Sequence, residues 1–375
     1  MAKIALVSDV HLGTRQYGIP ERYEDFLAAF GRFGEGVRGN ADAVVIGGDL
    51  FDSPRPDARS VLKAMEVVRG IPVPVWGIDG NHDLSGGDWL RAIGANVFPD
   101  YATVEIVPGV HAAGLSYLNG RDLVAAIGRM ADAGVKADIL VAHFALAEMN
   151  GGGSADTGVQ ELSPLLERMG VKAVLMGHVH IPDCRRWNGI LYVNPGSTEM
   201  KSANEPPEKY YFVLDTDTWE AREVPLETRE METVEIADEA SLAAFMERLA
   251  SESRAVAGGA PGRPFYQIVA DDSVDDAFKR LAATLHDASA LGRIVVRSSR
   301  ARDLAPVVDR KEGVATLASA IEARFPKESD EARLTASLLH SPEPSAIHMI
   351  VDRYMSEGSG SGSGSGSGAG SGAGA

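Results

Sequence analysis

Five short polar blocks hold five of the nine histidines in this 375-residue chain. They are Ser8–Gly13 (SDVHLG), Gly47–Asp52 (GGDLFD), Gly80–Asp83 (GNHD), Val141–Phe144 (VAHF) and Gly177–His180 (GHVH). Between them they offer Asp9, His11, Asp49, Asn81, His143, His178 and His180, which are oxygen and imidazole ligands with no thiolate among them. One ion needs about four to six ligands, so this set suits two divalent cations sharing a carboxylate. Any block alone would read as a turn or a hydrogen-bonded histidine. The recurrence of ligand-type side chains at successive sites is what points to a metal centre.

The elements that must position these residues are legible around them. KIALV, AVVI, VPVWGI, ADILV and VKAVLM precede the five blocks in turn, and each reads as a buried strand. The polar residues should therefore emerge together at the carboxyl ends of neighbouring strands. Helical periodicity fills the intervals at Arg22–Phe33, Ala58–Arg69, Asp122–Ala133 and Glu161–Met169, and Tyr210–Val224 reads as a hairpin. The expected fold class is α/β, an αββα arrangement of two mixed sheets flanked by helices, over residues 1–228. A strand-helix-strand-helix-strand pattern then begins at METVEI and occupies residues 229–302 as a small α+β unit. Residues 303–357 carry short amphipathic stretches (ATLASAIEARF, EARLTASLLH, SAIHMIVDRYM) without a core of their own, a pattern that covers a neighbouring surface. Residues 358–375 contain only Gly, Ser and Ala and read as a flexible tail.

The ordered set D-x-H, G-D, G-N-H-D, H and G-H-x-H resembles the calcineurin-like metallophosphoesterase superfamily. The resemblance places Asp9, His11 and His180 on one metal, Asn81, His143 and His178 on the other, and Asp49 as the bridge. Two such cations polarise a phosphoester and lower the pKa of a bound water. Carboxylate, amide and imidazole ligands suit manganese, with iron or zinc as alternatives. His82 adjoins a ligand on a tight turn and should point away from it, which leaves it for proton work; the superfamily implies phosphate stabilisation or protonation of the leaving oxygen. The alternative is that His82 only orients Asp49 or Asp9.

Flanking residues narrow the family. His11–Phe30 (HLGTRQYGIPERYEDFLAAF), Gly48–Pro56 (GDLFDSPRP) and Asn194–Met200 (NPGSTEM) resemble the SbcD and Mre-eleven double-strand-break repair nucleases, their archaeal branch above all. That resemblance implies a DNA exonuclease and endonuclease subunit, with 229–302 as a capping domain over DNA and 303–357 as the binding site for a coiled-coil ABC-type ATPase (SbcC or Rad-fifty-like). It also implies a homodimer through Ala58–Arg69 and Gly87–Ala95. Arg15, Gln16 and Tyr17 would lie beside the metals and touch phosphate or base, or else form a solvated loop. Many members carry histidine where this chain has Asp52, so Asp52 bears on the balance of exonuclease and endonuclease action, unless it only caps the turn before Pro54. Two other readings stand beside this one: a phosphoesterase for small molecules or phosphoproteins, against which the residues beyond 228 argue, and a scaffold with a silent metal site, against which the complete ligand set argues.

Composition bounds these readings. A net charge of −17 is unusual for a DNA enzyme, because phosphate contacts normally come from a basic surface. Bound cations and a partner subunit would have to offset it, so the chain alone should bind DNA weakly. The single cysteine, Cys184, excludes an intrachain disulfide framework and fits a packing or loop role. No membrane-spanning run or signal segment is apparent, and a cytoplasmic, nucleoid-associated location is expected.

Overall fold

The computed structural model describes residues 2–202, 205–256, 264–271 and 291–297. The expected helix over 274–288, the segment 303–357 and the tail 358–375 lie outside the described residues.

The chain runs β1 (Lys3–Val7), α1 (Pro20–Gly36), β2 (Ala43–Ile46), α2 (Ala58–Gly70), β3 (Val75–Gly77), α3 (Asp88–Ile93) and β4 (Asn96–Val97). It continues with β5 (Thr103–Val107), β6 (Val110–Leu115), α4 (Gly120–Asp132), β7 (Ile139–His143), α5 (Val159–Met169), β8 (Ala173–Gly177), β9 (Asp183–Trp187) and β10 (Ile190–Asn194). The hairpin β11 (Lys209–Asp215) and β12 (Glu220–Leu226) follows. Two mixed sheets result, ordered β12-β11-β1-β2-β3-β4 and β5-β6-β7-β8-β10-β9. Strands β1 to β4, and β6, β7, β8 and β10, pair in parallel. β11, β12, β5 and β9 pair antiparallel to their neighbours.

Strand alternation explains the layers. In β1 and β2, Ala5, Val7, Val44 and Ile46 pack towards Phe30, Phe33, Ala64, Val68 and Leu90 on α1, α2 and α3. Their neighbours Ile4, Leu6 and Val45 instead meet Ile139, Val141, Leu175 and Val193 of the opposite sheet. Leu140, Ala142, Val174 and Met176 turn outward under Leu123, Ile127, Leu162 and Leu166 of α4 and α5. Each strand is thus apolar on both faces, as parallel strands covered on both sides must be. The helices begin where capping chemistry is available. Asp57 accepts from the amides of Arg59 and Ser60 at the start of α2, and Asn119 accepts from Asp122 at the start of α4.

β13 (Met231–Ile236), α6 (Glu239–Val256), β14 (Phe265–Asp271) and β15 (Leu291–Arg297) form a separate parallel sheet ordered β13-β14-β15. Its small core holds Ile236, Leu242, Phe245, Leu249, Tyr266 and Ile268. Arg229, just before it, is anchored by Asp25 of α1 through Nε at 2.6 Å and Nη2 at 2.7 Å. Among the described residues, no helix is long and apolar enough to cross a membrane.

The reading of sequence missed β5–β6 and β9–β10. β9 (DCRRW) is largely polar and only partly buried, and β6 (VHAAGL) is rich in Ala and Gly, so neither shows the β-branched run that marks a strand, whereas β5 (TVEIV) and β10 (ILYVN) do show it but precede no block of ligand-type residues.

Candidate metal centre

The five polar blocks leave the carboxyl ends of β1, β2 and β3 in one sheet and of β7 and β8 in the other, and they meet where the two sheets face each other. The backbone bends sharply there. Asp9, His11, Asp49 and His178 all have positive φ, at 51°, 48°, 49° and 94°. Left-handed backbone at a non-glycine residue costs about 1–3 kcal/mol and persists where the surroundings over-determine it, commonly at functional sites. Asp9 is held by the His178 amide, which donates to Oδ1 and Oδ2 at 3.1 and 3.0 Å. Asp49 Oδ1 accepts from the His82 amide at 2.8 Å.

Two clusters of ligand atoms follow. In the first, His11 Nε2 lies 3.1 Å from His180 Nε2, which in turn lies 3.8 Å from Asp9 Oδ1. In the second, Asn81 Oδ1 lies 2.9 Å from His178 Nδ1 and 3.2 Å from His143 Nε2. Asp49 Oδ2 stands between them, 3.7 Å from His11 Nε2 and 3.4 Å from His143 Nε2. Ligand atoms about 2.1 Å from one ion at near-right angles are separated by about 3 Å, so the spacing within these clusters suits a divalent cation. Asp9, His11 and His180, and likewise Asp9, Asp49 and His143, are close enough to hold one ion; so are His11, Asp49 and His82.

The electrostatics favour positive charge. Burial works against ionising His143, yet its bond to Asp49 and the charges of Asp9 and Asp49 push it up to about 9. Asp49 resists the same burial through His143 and His11 and stays well below the usual carboxylate range. The negative charge of Asp9 and Asp49 around this buried imidazole favours a cation at the same place. Burial lowers His178, and the neighbouring His143 lowers it further.

His82 turns away from Asn81. Its ring meets His11 edge-on at 4.8 Å, and Nδ1 lies 3.3 Å from the carbonyl oxygen of Asp52. Asp52 directs its carboxylate inward rather than to the turn before Pro54, with Oδ1 3.2 Å from His11 Nδ1 and 2.8 Å from Lys201 Nζ. Gln16 is buried and accepts from Arg22 Nε at 2.7 Å; Arg22 also reaches Asp25, Glu199 and the Met200 carbonyl. Tyr17 stacks on Phe265 of β14 at 5.2 Å. Arg15 lies over the Tyr23 ring, where Arg59 also sits, both at 5.4 Å. Cys184 packs in the inter-sheet core, and burial raises its thiol to about 11.

Residues not anticipated from sequence complete the surroundings. Glu205 Oε1 accepts from His180 Nδ1 at 2.9 Å, while its Oε2 meets the buried Lys209 Nζ at 2.7 Å. Burial would raise Glu205, but His180 and Lys209 bring it down to about 2. Tyr117 places its ring 6.0 Å from that of His178 and 6.2 Å from that of His143. Glu205 reaches the site through the connection between β10 and β11, where no local pattern marks it, whereas Tyr117 follows the end of β6 and could have been found by the same strand-end signal as the ligands.

The two-sheet sandwich, with histidine and carboxylate clusters at its strand ends, has the metallophosphoesterase fold. The calcineurin-like phosphoesterase family model matches residues 2–182, about half of the chain. The chain is also similar to DNA double-strand break repair proteins called Mre11. That of Haloferax volcanii is 31% identical over 255 residues, covering 63% of this chain and 55% of the relative. That of Archaeoglobus fulgidus is 28% identical over 279 residues, covering 63% and 62%. The protein from Aeropyrum pernix is 42% identical over 87 residues, 22% of this chain and 21% of that one. The chain thus spans somewhat more than half the length of the first two relatives.

Proposed function

We propose that this protein is a manganese-dependent DNA nuclease, acting as both exonuclease and endonuclease, within a double-strand-break repair complex. The observation that carries the reading is the double cluster around Asp49, with Asp9, His11 and His180 on one side and Asn81, His143 and His178 on the other. When bound, the two cations supply polarisation of the diester and an activated water. The chain's own residues do the rest. His82 directs Nδ1 at the Asp52 carbonyl, leaving Nε2 to hold the scissile phosphate or pass a proton to the leaving oxygen. Arg15 is available to a neighbouring phosphate, while Tyr17 joins the first connection to the small parallel sheet that would cap the DNA. With a charge of −17, affinity for DNA depends on those cations and on partners. The partners in this reading are a second copy, docked through α2 and α3 around the exposed Leu62, and a coiled-coil ABC-type ATPase bound by residues 303–357.

The test is to incubate the purified protein with manganese and end-labelled duplex DNA, hairpin DNA or a chromogenic diester, with and without that ATPase. Cleavage of DNA that the ATPase stimulates is the expected result. Turnover of the small diester alone would transfer the protein to the small-molecule phosphoesterases, and no turnover of any substrate would make the site silent.

A further inference from the structure

The two candidate cation clusters are supported differently. In the cluster of Asp9, His11 and His180, the outward nitrogen of each histidine faces a carboxylate: His11 Nδ1 lies 3.2 Å from Asp52 Oδ1, and His180 Nδ1 lies 2.9 Å from Glu205 Oε1. Each carboxylate is held by a lysine. Lys201 Nζ is 2.8 Å from Asp52 Oδ1, and Lys209 Nζ is 2.7 Å from Glu205 Oε2. Lys209 is itself buried and bonds Ser197 Oγ at 2.8 Å, and Ser197 also donates to Glu205 at 3.1 Å. In the other cluster, His143 Nδ1 donates instead to the backbone carbonyl of Gly47 at 2.8 Å, and His178 turns its own Nδ1 towards Asn81.

A carboxylate that accepts from the outer nitrogen fixes the imidazole tautomer, points the inner lone pair at the ion and makes that lone pair more basic. A peptide carbonyl orients the ring but brings no net charge. We therefore infer that Asp52 and Glu205 are positioning residues which make the Asp9–His11–His180 cluster the tighter of the two cation sites, the one filled first. The inference rests on the two-cation reading of the centre.

Lys201 sharpens the point. Its ammonium also lies 2.9 Å from His11 Nδ1, and an ammonium has only donors. Donation from Lys201 to Nδ1 would put the imidazole proton on Nε2, where it blocks ligation; donation from Nδ1 to Asp52 leaves Nε2 open. Asp52 Oδ1 lies within ion-pair reach of both neighbours, and its negative charge sets the balance between the two tautomers. Asn at this position can accept too, but it no longer offsets the lysine charge.

Titration of the metal-free full chain with Mn2+ alone, followed by calorimetry and electron paramagnetic resonance, tests this. Wild type should bind two cations in two steps, the first giving the hyperfine sextet of an isolated ion and the second broadening it by coupling. Asp52→Asn and Glu205→Gln should each weaken the first step by about 10- to 100-fold, the usual loss when an outer carboxylate is removed, with much less effect on the second. Asp52→Asn/Lys201→Met should regain affinity relative to Asp52→Asn, which a merely structural loss would not. Thermal melting identifies any variant that fails to fold; if Glu205→Gln does, Asp52→Asn carries the test, because Asp52 is partly exposed. Two equal steps in wild type, or a first step within about twofold of wild type in Asp52→Asn, would overturn the inference while leaving two cations in place. Failure of the wild type to bind two cations would overturn the reading of the centre itself, and this inference with it.

Discussion

Gly80→Ala should disable the centre by moving one carboxylate. Gly80 begins the turn after β3, and a Cβ built on it falls 2.6 Å from Asp49 Cγ, with the Asp49 amide nitrogen and Oδ1 closer still. The shortest ordinary contact for such an atom is about 3.4 Å, so relieving the contacts with the Asp49 amide nitrogen at 2.4 Å and Oδ1 at 2.0 Å requires Asp49 and Gly80 to separate by about 1.0–1.4 Å. Neither can yield freely: Asp49 Oδ1 is held by the His82 amide at 2.8 Å, and Gly80 N donates to Asp83 Oδ1 at 2.8 Å. Displacing a reacting group by about 1 Å can cost about 100-fold in rate, and here the displaced group is the proposed bridge between cations. Turnover of a chromogenic diester should fall by about that factor, and calorimetry should show the loss of at least one Mn2+. Gly128→Ala is the control: its Cβ meets nothing within 4 Å on the helix α4, so it should raise stability by up to about 1 kcal/mol and leave turnover alone. Normal turnover and two bound cations in Gly80→Ala would show that Asp49 does not bridge them.

Three other outcomes are expected. His82→Asn should keep its cations while turnover falls about 10²- to 10⁴-fold, whereas excess Mn2+ should partly restore His178→Asn; equal rescue of both would make His82 a ligand. Leu62, 64% exposed on α2, should lie in a contact between two copies, so Leu62→Asp should convert a dimer to monomers in light scattering, and a monomeric wild type at micromolar concentration would end that proposal. Asp57→Ala should cost about 1 kcal/mol at neutral pH by removing the cap of α2. Although burial opposes it, bonds from Tyr23, Ser60 and Arg59 hold the Asp57 carboxyl below its usual range. Its stabilisation is therefore complete above pH about 4 and lost as pH falls through the folded value, so the melting difference between Asp57→Ala and wild type should shrink in acid; a difference constant with pH would refute that origin.

The proposed ligands could be read from sequence because each sits in a contiguous block behind a strand, and a strand end fixes direction as well as place. Asp9 and His11 follow KIALV with no intervening connection to confuse the geometry. The same locality made α1, α2, α4 and α5 legible, since their apolar faces repeat within a few turns. What could not be read depends on distant segments meeting. Glu205 lies 25 residues beyond His180 in a polar stretch, and nothing in EPPEK indicates that one carboxylate will turn back to an imidazole. Gln16 carries the opposite lesson: its block placed it near the centre, but Arg22 draws the amide into the interior, a contact fixed by the buried Glu199, 177 residues further along the chain. Asp52 could be read as a cap, a DNA contact or neither until Lys201, 149 positions away, came within 2.8 Å.

The sandwich itself has a further consequence. Asp9, His11, Asp49 and Asn81 follow strands of the first sheet, and His143, His178 and His180 follow strands of the second, so each cluster straddles the seam. A bound ion is then a clasp between layers, and its binding energy adds to the cohesion of the sandwich as RT ln(1 + [L]/Kd). Chelation should loosen the molecule along that plane first, and the amides at the carboxyl ends of β1, β2, β7 and β8 should exchange with solvent sooner than in the cation-bound protein. Cut in the connection between β4 and β5, the chain would become two pieces for which a divalent cation acts as glue, turning the candidate centre into a reporter of assembly.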